Sequence, residues 1–392
     1  MSFIHQYDLC SLIGSNDPML KTAKFDDYTV TRYEKTKKTM KKQDFVSTYG
    51  LCRSVITDKI GNIVSFSPPK SLSKNDFTAK YPDTCQIVAT EFVEGTMINV
   101  FWDRNEEHWI IATRSTIYID PSICNTKTFD NMFYDAAFDN KLILDELSHD
   151  YSYSFVLQHP NNRIVLPIFK PQLYLIAIYS FEGNIVSSHD IADFPVFQMT
   201  TVKSPAIFQL TSYSEFQERT NILDYTYLGV VFTNLATGLR TKFRNPNYEN
   251  VRHLKGSQAK LQHQYLVLRN AGNVGEHLRF FPQDKQIFAL FRDQIHSFSQ
   301  TLRDNYISCY IRKEGPLIEY SEEYRSHMFN LHLIYKSVLR QQKRFLMFSD
   351  VVSYVNEMDP ILLIRSLNYD NKKTIQQPIL SQCGDRVSTA TE

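Results

Sequence analysis

The chain has 392 residues, with 43 Lys+Arg against 42 Asp+Glu and 43% hydrophobic residues. That length predicts two domains, or one with an appendage. The near-zero charge excludes a globally basic nucleic-acid coat protein, and the apolar content excludes wholesale disorder. Twelve Gly and 15 Pro exclude a collagen-like or linker-dominated chain, while 27 Phe, 23 Tyr and 2 Trp form an aromatic excess fit for a core or for stacking platforms.

Met1 to Gln6 lack the basic and long apolar regions of a signal peptide. Lys35, Lys37, Lys38, Lys41 and Lys42 then put five lysines in eight residues. From about residue 45 to 255 the chain reads mostly as strands. Gln86–Ala89 and Met97–Trp102 are β-rich, and the polar 103–108 segment leading into Trp109–Thr113 predicts a hairpin. Acidic residues Asp130, Asp135, Asp139, Asp145 and Glu146 mark a surface helix or pair of helices. Tyr153–Leu157, Leu173–Phe181 and Tyr227–Phe232 are further strands; the apolar run 173–179 is far too short to span a bilayer.

The pattern changes near Gly272–Gly275. Residues 276–366 have helical spacing, with Phe329, Ile334, Val338 and Leu339 as apolar positions. Lys336, Arg340, Lys343 and Arg344, at i, i+4, i+7 and i+8, are expected on one helix face as an RNA-binding surface. Arg240–Lys260 is a further basic segment beside Phe243 and Tyr248, so a polyanion partner is expected. The polar end, 371–392, reads as a disordered tail. The expected organisation is a β-rich domain over 1–270, a helical domain over 271–370 and that tail. Cys10, Cys52, Cys85, Cys124, Cys309 and Cys383 form no C-x-x-C pair, which argues against structural zinc or a secreted disulfide scaffold. A soluble cytoplasmic protein with no membrane contact and no metal site is expected.

Six segments occur in a telling order: Arg53–Ile56 with Asn62–Ser65 and Pro69–Lys70, Thr90–Ile98, Thr113–Thr116, Ser154–Val165, Leu228–Val231 and Lys242–Tyr248. In order and spacing they resemble phage-type ATP-dependent RNA ligases, of the covalent nucleotidyltransferase superfamily. Phe92-Val93-Glu94-Gly95-Thr96 falls on the K-x-[DE]-G-[ST] motif, Pro160 to Val165 on P-x-N-R-I-V, Leu228 to Val231 on E-G-[VI]-V, and Lys242 to Arg244 on K-x-K. The helical remainder is similar to the C-terminal domain of ligase-like proteins of large DNA viruses. The resemblance implies an α+β fold: an antiparallel, β-rich nucleotidyltransferase domain followed by an all-α domain.

In that family the motif lysine attacks the α-phosphate of ATP, and carboxylates of later motifs hold divalent metal. Here the nucleophile position is Phe92, and the carboxylate positions are Val156 and Leu228. A benzyl group has no lone pair to donate, so no phosphoramidate can form at 92. The resemblance keeps Arg53, Lys70, Glu94, Arg163, Lys242 and Arg244 at nucleotide- or phosphate-facing positions, with Phe92 as a stacking surface. The expectation is a catalytically inactive, RNA-ligase-like subunit that binds RNA through phosphates and a terminal, cap-like nucleotide, without a cofactor. Two alternatives stand beside it. One is an active ligase, with ATP and magnesium, using Lys70 or Lys80. The other is a protein-interaction scaffold in an RNA-processing or translation-related complex.

Overall fold

A computed structural model describes residues 5–15, 17–34, 45–118, 128–210, 212–256 and 260–369. The Lys35–Lys42 cluster, Cys124 and the 371–392 tail, with Cys383, lie outside them. The chain divides into two compact units, Met1–Arg252 and His253–Glu392. No helix of the described residues is long and apolar enough to cross a membrane.

Strands of the first unit form three antiparallel sheets. The largest has seven, in the order β1 (Gln6–Asp8), β12 (Ile185–His189), β11 (Gln172–Glu182), β10 (Ser152–Gln158), β7 (Thr96–Asp103), β8 (His108–Ala112) and β9 (Ile117–Tyr118). A second has four, in the order β13 (Ile207–Phe208), β6 (Ile87–Glu91), β14 (Gly229–Asn234) and β15 (Arg240–Arg244). The third runs β2 (Leu20–Phe25), β3 (Tyr28–Tyr33), β4 (Val55–Thr57) and β5 (Ile63–Phe66). Strand structure therefore begins well before residue 45, where the sequence pattern becomes plain.

The expected hairpin is β7–β8, with Trp102 opposite Trp109. Asp103 makes its turn: Oδ1 accepts from the N–H groups of Asn105 and Glu106 at 2.8 and 3.3 Å. Helix α1 (Lys74–Lys80) starts on Ser73, whose Oγ accepts from Asp76 N–H. The acidic segment contains α2 (Phe129–Asp139), and it is not wholly at the surface. Met132, Phe133, Ala136 and Ala137 pack with Phe155 and Leu175 of the large sheet. Helix α3 (Tyr213–Ile222) covers the second sheet through Phe216.

Helix α4 (Pro246–Lys255) spans the point where the units divide. The helical unit thus begins near 253 rather than 271. It contains α5 (Leu261–Asn270), α6 (Val274–Phe280), α7 (Lys285–Tyr306), α8 (Glu322–Ile334), α9 (Phe348–Glu357) and α10 (Pro360–Leu367). Tyr265 and Leu266 of α5 join Phe298, Leu302, Met328 and Leu331 in its core, which explains the earlier start.

Two wide-turn π segments, Ile307–Arg312 and Tyr335–Leu339, extend α7 and α8. The second shifts the helical register. Within it Val338 is exposed and Leu339 buried; Phe329, earlier on α8, is also exposed, because Met328 and Leu331 form that helix's buried face.

Candidate functional site

Strand alternation builds the site. On β15, Thr241 and Phe243 are buried, so Arg240, Lys242 and Arg244 point to the opposite face. On β14, Val230 and Phe232 enter the core with Phe77, Phe216 and Phe243, leaving Val231 and Thr233 on the other side. On β6, Ile87 and Ala89 are inward, and Val88 and Thr90 face out, followed by Phe92. All of these outward positions but Arg244 line a cavity of about 540 Å³, whose other walls include Tyr7, Arg53, Val156 and Tyr179. That volume lies within the ~300–1,000 Å³ range of small-molecule sites.

Two glycines set the close approaches beside it. Gly95 has φ +152°, and a Cβ there would lie 2.5 Å from both Leu157 O and Val156 Cγ1. At Gly229, φ +144°, a Cβ would meet Phe243 O at 2.1 Å. Phe92 N–H donates to Gly229 O at 3.0 Å, which fixes the backbone at the nucleophile position.

The Phe92 ring is half-buried, with Lys242 Nζ 4.4 Å from its centroid and Arg244 Cζ at 5.7 Å. Arg240 is held by the Pro69 carbonyl, to which Nε and Nη2 donate at 3.2 and 2.7 Å. Among the described residues no carboxylate lies within ion-pair distance, 4.0 Å, of Arg53, Arg240 or Lys242. Burial and then the charges of Arg240, Arg53, Arg244 and Lys70 push the Lys242 amine down to about 6. Arg53 falls to about 10, from burial and then Arg240, and so stays charged at neutral pH. Burial holds the Tyr7 and Tyr179 phenols above their ordinary range.

The structure brings Arg53, Phe92 and Lys242 to one cavity, and it sends four other expected residues elsewhere. Glu94 is buried, and its Oε1 accepts from the N–H groups of Val165 and Leu166 at 3.1 and 3.0 Å. Tyr248 donates to the same carboxylate. Arg163 Nε donates to Val165 O at 3.0 Å. Lys70 Nζ donates to Ser71 O at 3.4 Å, and Arg244 pairs with Glu249 at 3.2 Å. None of the four lines the cavity. With Asn162 Nδ2 donating to Thr96 Oγ1 at 2.8 Å, these bonds stitch the motifs together as a frame. His159 belongs to that frame, its Nδ1 accepting from Asn161 N–H at 3.1 Å.

Lys80, the other alternative nucleophile, ends α1 with its amine over the Tyr81 ring and does not reach the cavity. Val156 lines the cavity and Leu228 is buried, so neither carboxylate position offers an oxygen. Among the described residues no group of three His, Cys, Asp or Glu could hold a metal ion. The residues present do not fit the divalent ion of the ligase reaction. Arg240, Tyr7 and Tyr179 were missed as site residues. Only Arg240 left a signal, an i, i+2, i+4 run with Lys242 and Arg244.

The helical unit also departs from expectation. Lys336, Arg340 and Lys343 are exposed, but the α-helical register ends at the π segment, and the chain turns over 340–343 with Lys343 at φ +54°. They do not share one helix face with Arg344, which pairs with Asp350 at 3.3 Å.

One match in sequence agrees with the motif reading. No protein-family model matches the chain. The chain is RNA-ligase-like in sequence: over 127 residues it is 28% identical to an RNA ligase of Rhodothermus phage RM378. The match covers 30% of this chain and 27% of the phage protein's own length. Among solved structures, an RNA ligase of Naegleria gruberi, as a mutant with ATP and Mn, has 15% identity and a TM-score of 0.37, covering 47% of this chain and 57% of that one. A putative ATP-dependent DNA ligase from Aquifex aeolicus has 10% identity and a TM-score of 0.40, covering 92% of this chain and 76% of its own.

Proposed function

We propose that the first unit binds a phosphorylated nucleotide, in particular the 5′ end of an RNA, and does not carry out ligation through position 92. One observation supports this above the others: Arg53, Arg240 and Lys242 gather on one cavity, and among the described residues no carboxylate lies within ion-pair distance, 4.0 Å, of any of them. Clustered, half-buried cations repel one another, and an anion entering the cavity relieves that repulsion. The phage relative is named an RNA ligase, which makes RNA the natural bearer of the phosphate. Phe92 adds an aromatic edge for a terminal base, including a cap-like one; such stacking contributes about 1–3 kcal/mol.

Filter binding with a short RNA bearing either a 5′-phosphate or a 5′-hydroxyl tests the proposal. The phosphorylated RNA is expected to bind at least about tenfold more tightly, the effect of one charge-assisted contact. Equal binding would remove the cavity from the account, and no binding at low salt would leave the scaffold reading in its place.

A second reading has its own observation. Lys242 is an amine without an ion-pair partner, pushed down to about 6, lying against the ring that stands in the nucleophile's place. A neutral, desolvated lysine is a competent nucleophile. Labelled ATP with magnesium or manganese would then give a covalent protein–AMP band, lost in Lys242→Met and retained in Lys70→Met and Lys80→Met.

A further inference from the structure

A nucleotide site must also choose its phosphate chain, and the side chains around Phe92 favour one kind. We infer that the cavity binds a 5′-monophosphate, of a free nucleotide or of an RNA end, without divalent metal and in preference to a metal-bound triphosphate. The inference rests on the nucleotide-binding reading above and sharpens it.

Triphosphate chains in phosphoryl-transfer sites come with divalent metal, which bridges their oxygens and is held by protein oxygens. This cavity offers little to such an ion. Val156 lines the wall with methyl groups, and Leu228 is buried and does not line it. Two carboxylates do line the cavity, and both already serve the backbone. Glu91 Oε2 accepts from Ala206 N–H at 3.3 Å, and Asp190 Oδ1 accepts from Ala192 N–H at 3.0 Å.

The donors present suit a small, metal-free anion. The Arg240 guanidinium is anchored at one end by the Pro69 carbonyl, so its planar fork is held in place before a ligand arrives. Arg53 adds a second guanidinium, and Lys242 a compact amine with the Phe92 ring shielding one side. Guanidinium forks grip phosphate oxygens directly and need no bridging ion. Two guanidinium charges, joined by Lys242 once a bound anion favours its protonated form, suit a phosphate dianion, whereas a bare triphosphate brings more charge than they neutralise, and its metal would add positive charge beside them.

Isothermal titration calorimetry on the full chain tests this. Adenosine, guanosine, cytidine and uridine 5′-monophosphates and a 5′-phosphorylated hexaribonucleotide are titrated in EDTA and again in magnesium. The corresponding triphosphates are titrated in magnesium, and the 5′-hydroxyl hexanucleotide serves as the control. At least one monophosphate or the phosphorylated end is expected to bind equally in EDTA and magnesium, and about tenfold more tightly than the magnesium triphosphate. Comparison of mononucleotides with the hexanucleotide identifies which source of the monophosphate is used. Arg53→Met and Lys242→Met are each expected to weaken that binding about tenfold or more, with folding checked by circular dichroism. Tighter binding of the triphosphate with magnesium, or loss of binding in EDTA, would overturn the inference and leave the nucleotide reading intact. Binding of none of these ligands would overturn both.

Discussion

Arg53, Arg240 and Lys242 of the first unit share the wall of one half-buried cavity with no carboxylate partner, whereas Lys336, Arg340 and Lys343 of the helical unit stand exposed along a turning chain. Both groups read as basic segments in the sequence, but their surroundings give them different physics. Two unit charges 4 Å apart interact by roughly 1 kcal/mol in bulk water and about 4 kcal/mol at an effective dielectric of 20. Enclosing Arg53 and Arg240 together is therefore an energetic burden, one that also holds Lys242 below its ordinary range and that an anionic ligand can relieve. The exposed row is solvated, screened by salt, and suited at most to loose phosphate tracking. Burial without a partner marks a site more sharply than a count of basic residues.

Glu94 offers the strongest way to sharpen that contrast, because it is a buried charge whose partners are all present. Glu94→Ala strands the N–H groups of Val165 and Leu166 and the Tyr248 hydroxyl. It is expected to lower unfolding stability by about 3 kcal/mol or more, at ~1–3 kcal/mol for each of the three groups left unsatisfied. Urea denaturation would read this, and an effect below 1 kcal/mol would break the frame role assigned to Glu94.

A smaller effect is expected at Arg240. Arg240→Met should weaken binding of a 5′-phosphorylated RNA about 10–100-fold, from the loss of one charged hydrogen-bonding partner. An unchanged dissociation constant would place the phosphate elsewhere.

Lys242 links the cavity to pH. Its folded-state amine titrates at about 6, below the ordinary lysine range near 10.4, so the unfolded chain holds the extra proton between those values. Stability should therefore rise with pH from about 6 to about 10, by at most about 1.4 kcal/mol per unit from this residue, and this contribution is flat below 6. Lys242→Met should remove that slope and stabilise the ligand-free protein at neutral pH. Parallel pH–stability curves for the two proteins would contradict the burial assigned to the amine.

The smallest effect belongs to the exposed row. Replacing Lys336, Arg340 and Lys343 by Gln should change stability by no more than about 0.5 kcal/mol per site, while reducing the salt dependence of RNA binding by up to about 0.7 per lost phosphate contact. A large stability loss would show that the row is structural.

Much of the frame was legible in the sequence. The strands β6, β7, β10 and β14 fall on segments that read as strands, and the glycines at 95 and 229 mark their close approaches, whereas β15 read only as a basic segment. Side-chain destinations were less legible. Glu94, Arg163, Lys70 and Arg244 occupy motif positions, but their groups end on backbone atoms or on Glu249, a choice that tertiary packing makes. Tyr7 and Tyr179 come from strands distant in sequence, and only the fold brings them to the cavity. The basic helix face failed for a local reason, since a five-residue π segment breaks the 3.6-residue period on which it depended.

The claim that ties the account together is that Lys242 stands uncompensated beside Phe92 until an anion arrives. Carbon-13 NMR of Cε-labelled lysines, titrated with and without a 5′-phosphorylated oligonucleotide, reads it directly. One resonance is expected to titrate near 6 in the free protein, to be absent from Lys242→Met, and to shift upward when the oligonucleotide binds. Titration of Lys242 in the ordinary lysine range, near about 10.4, or no response to the oligonucleotide, would contradict the account.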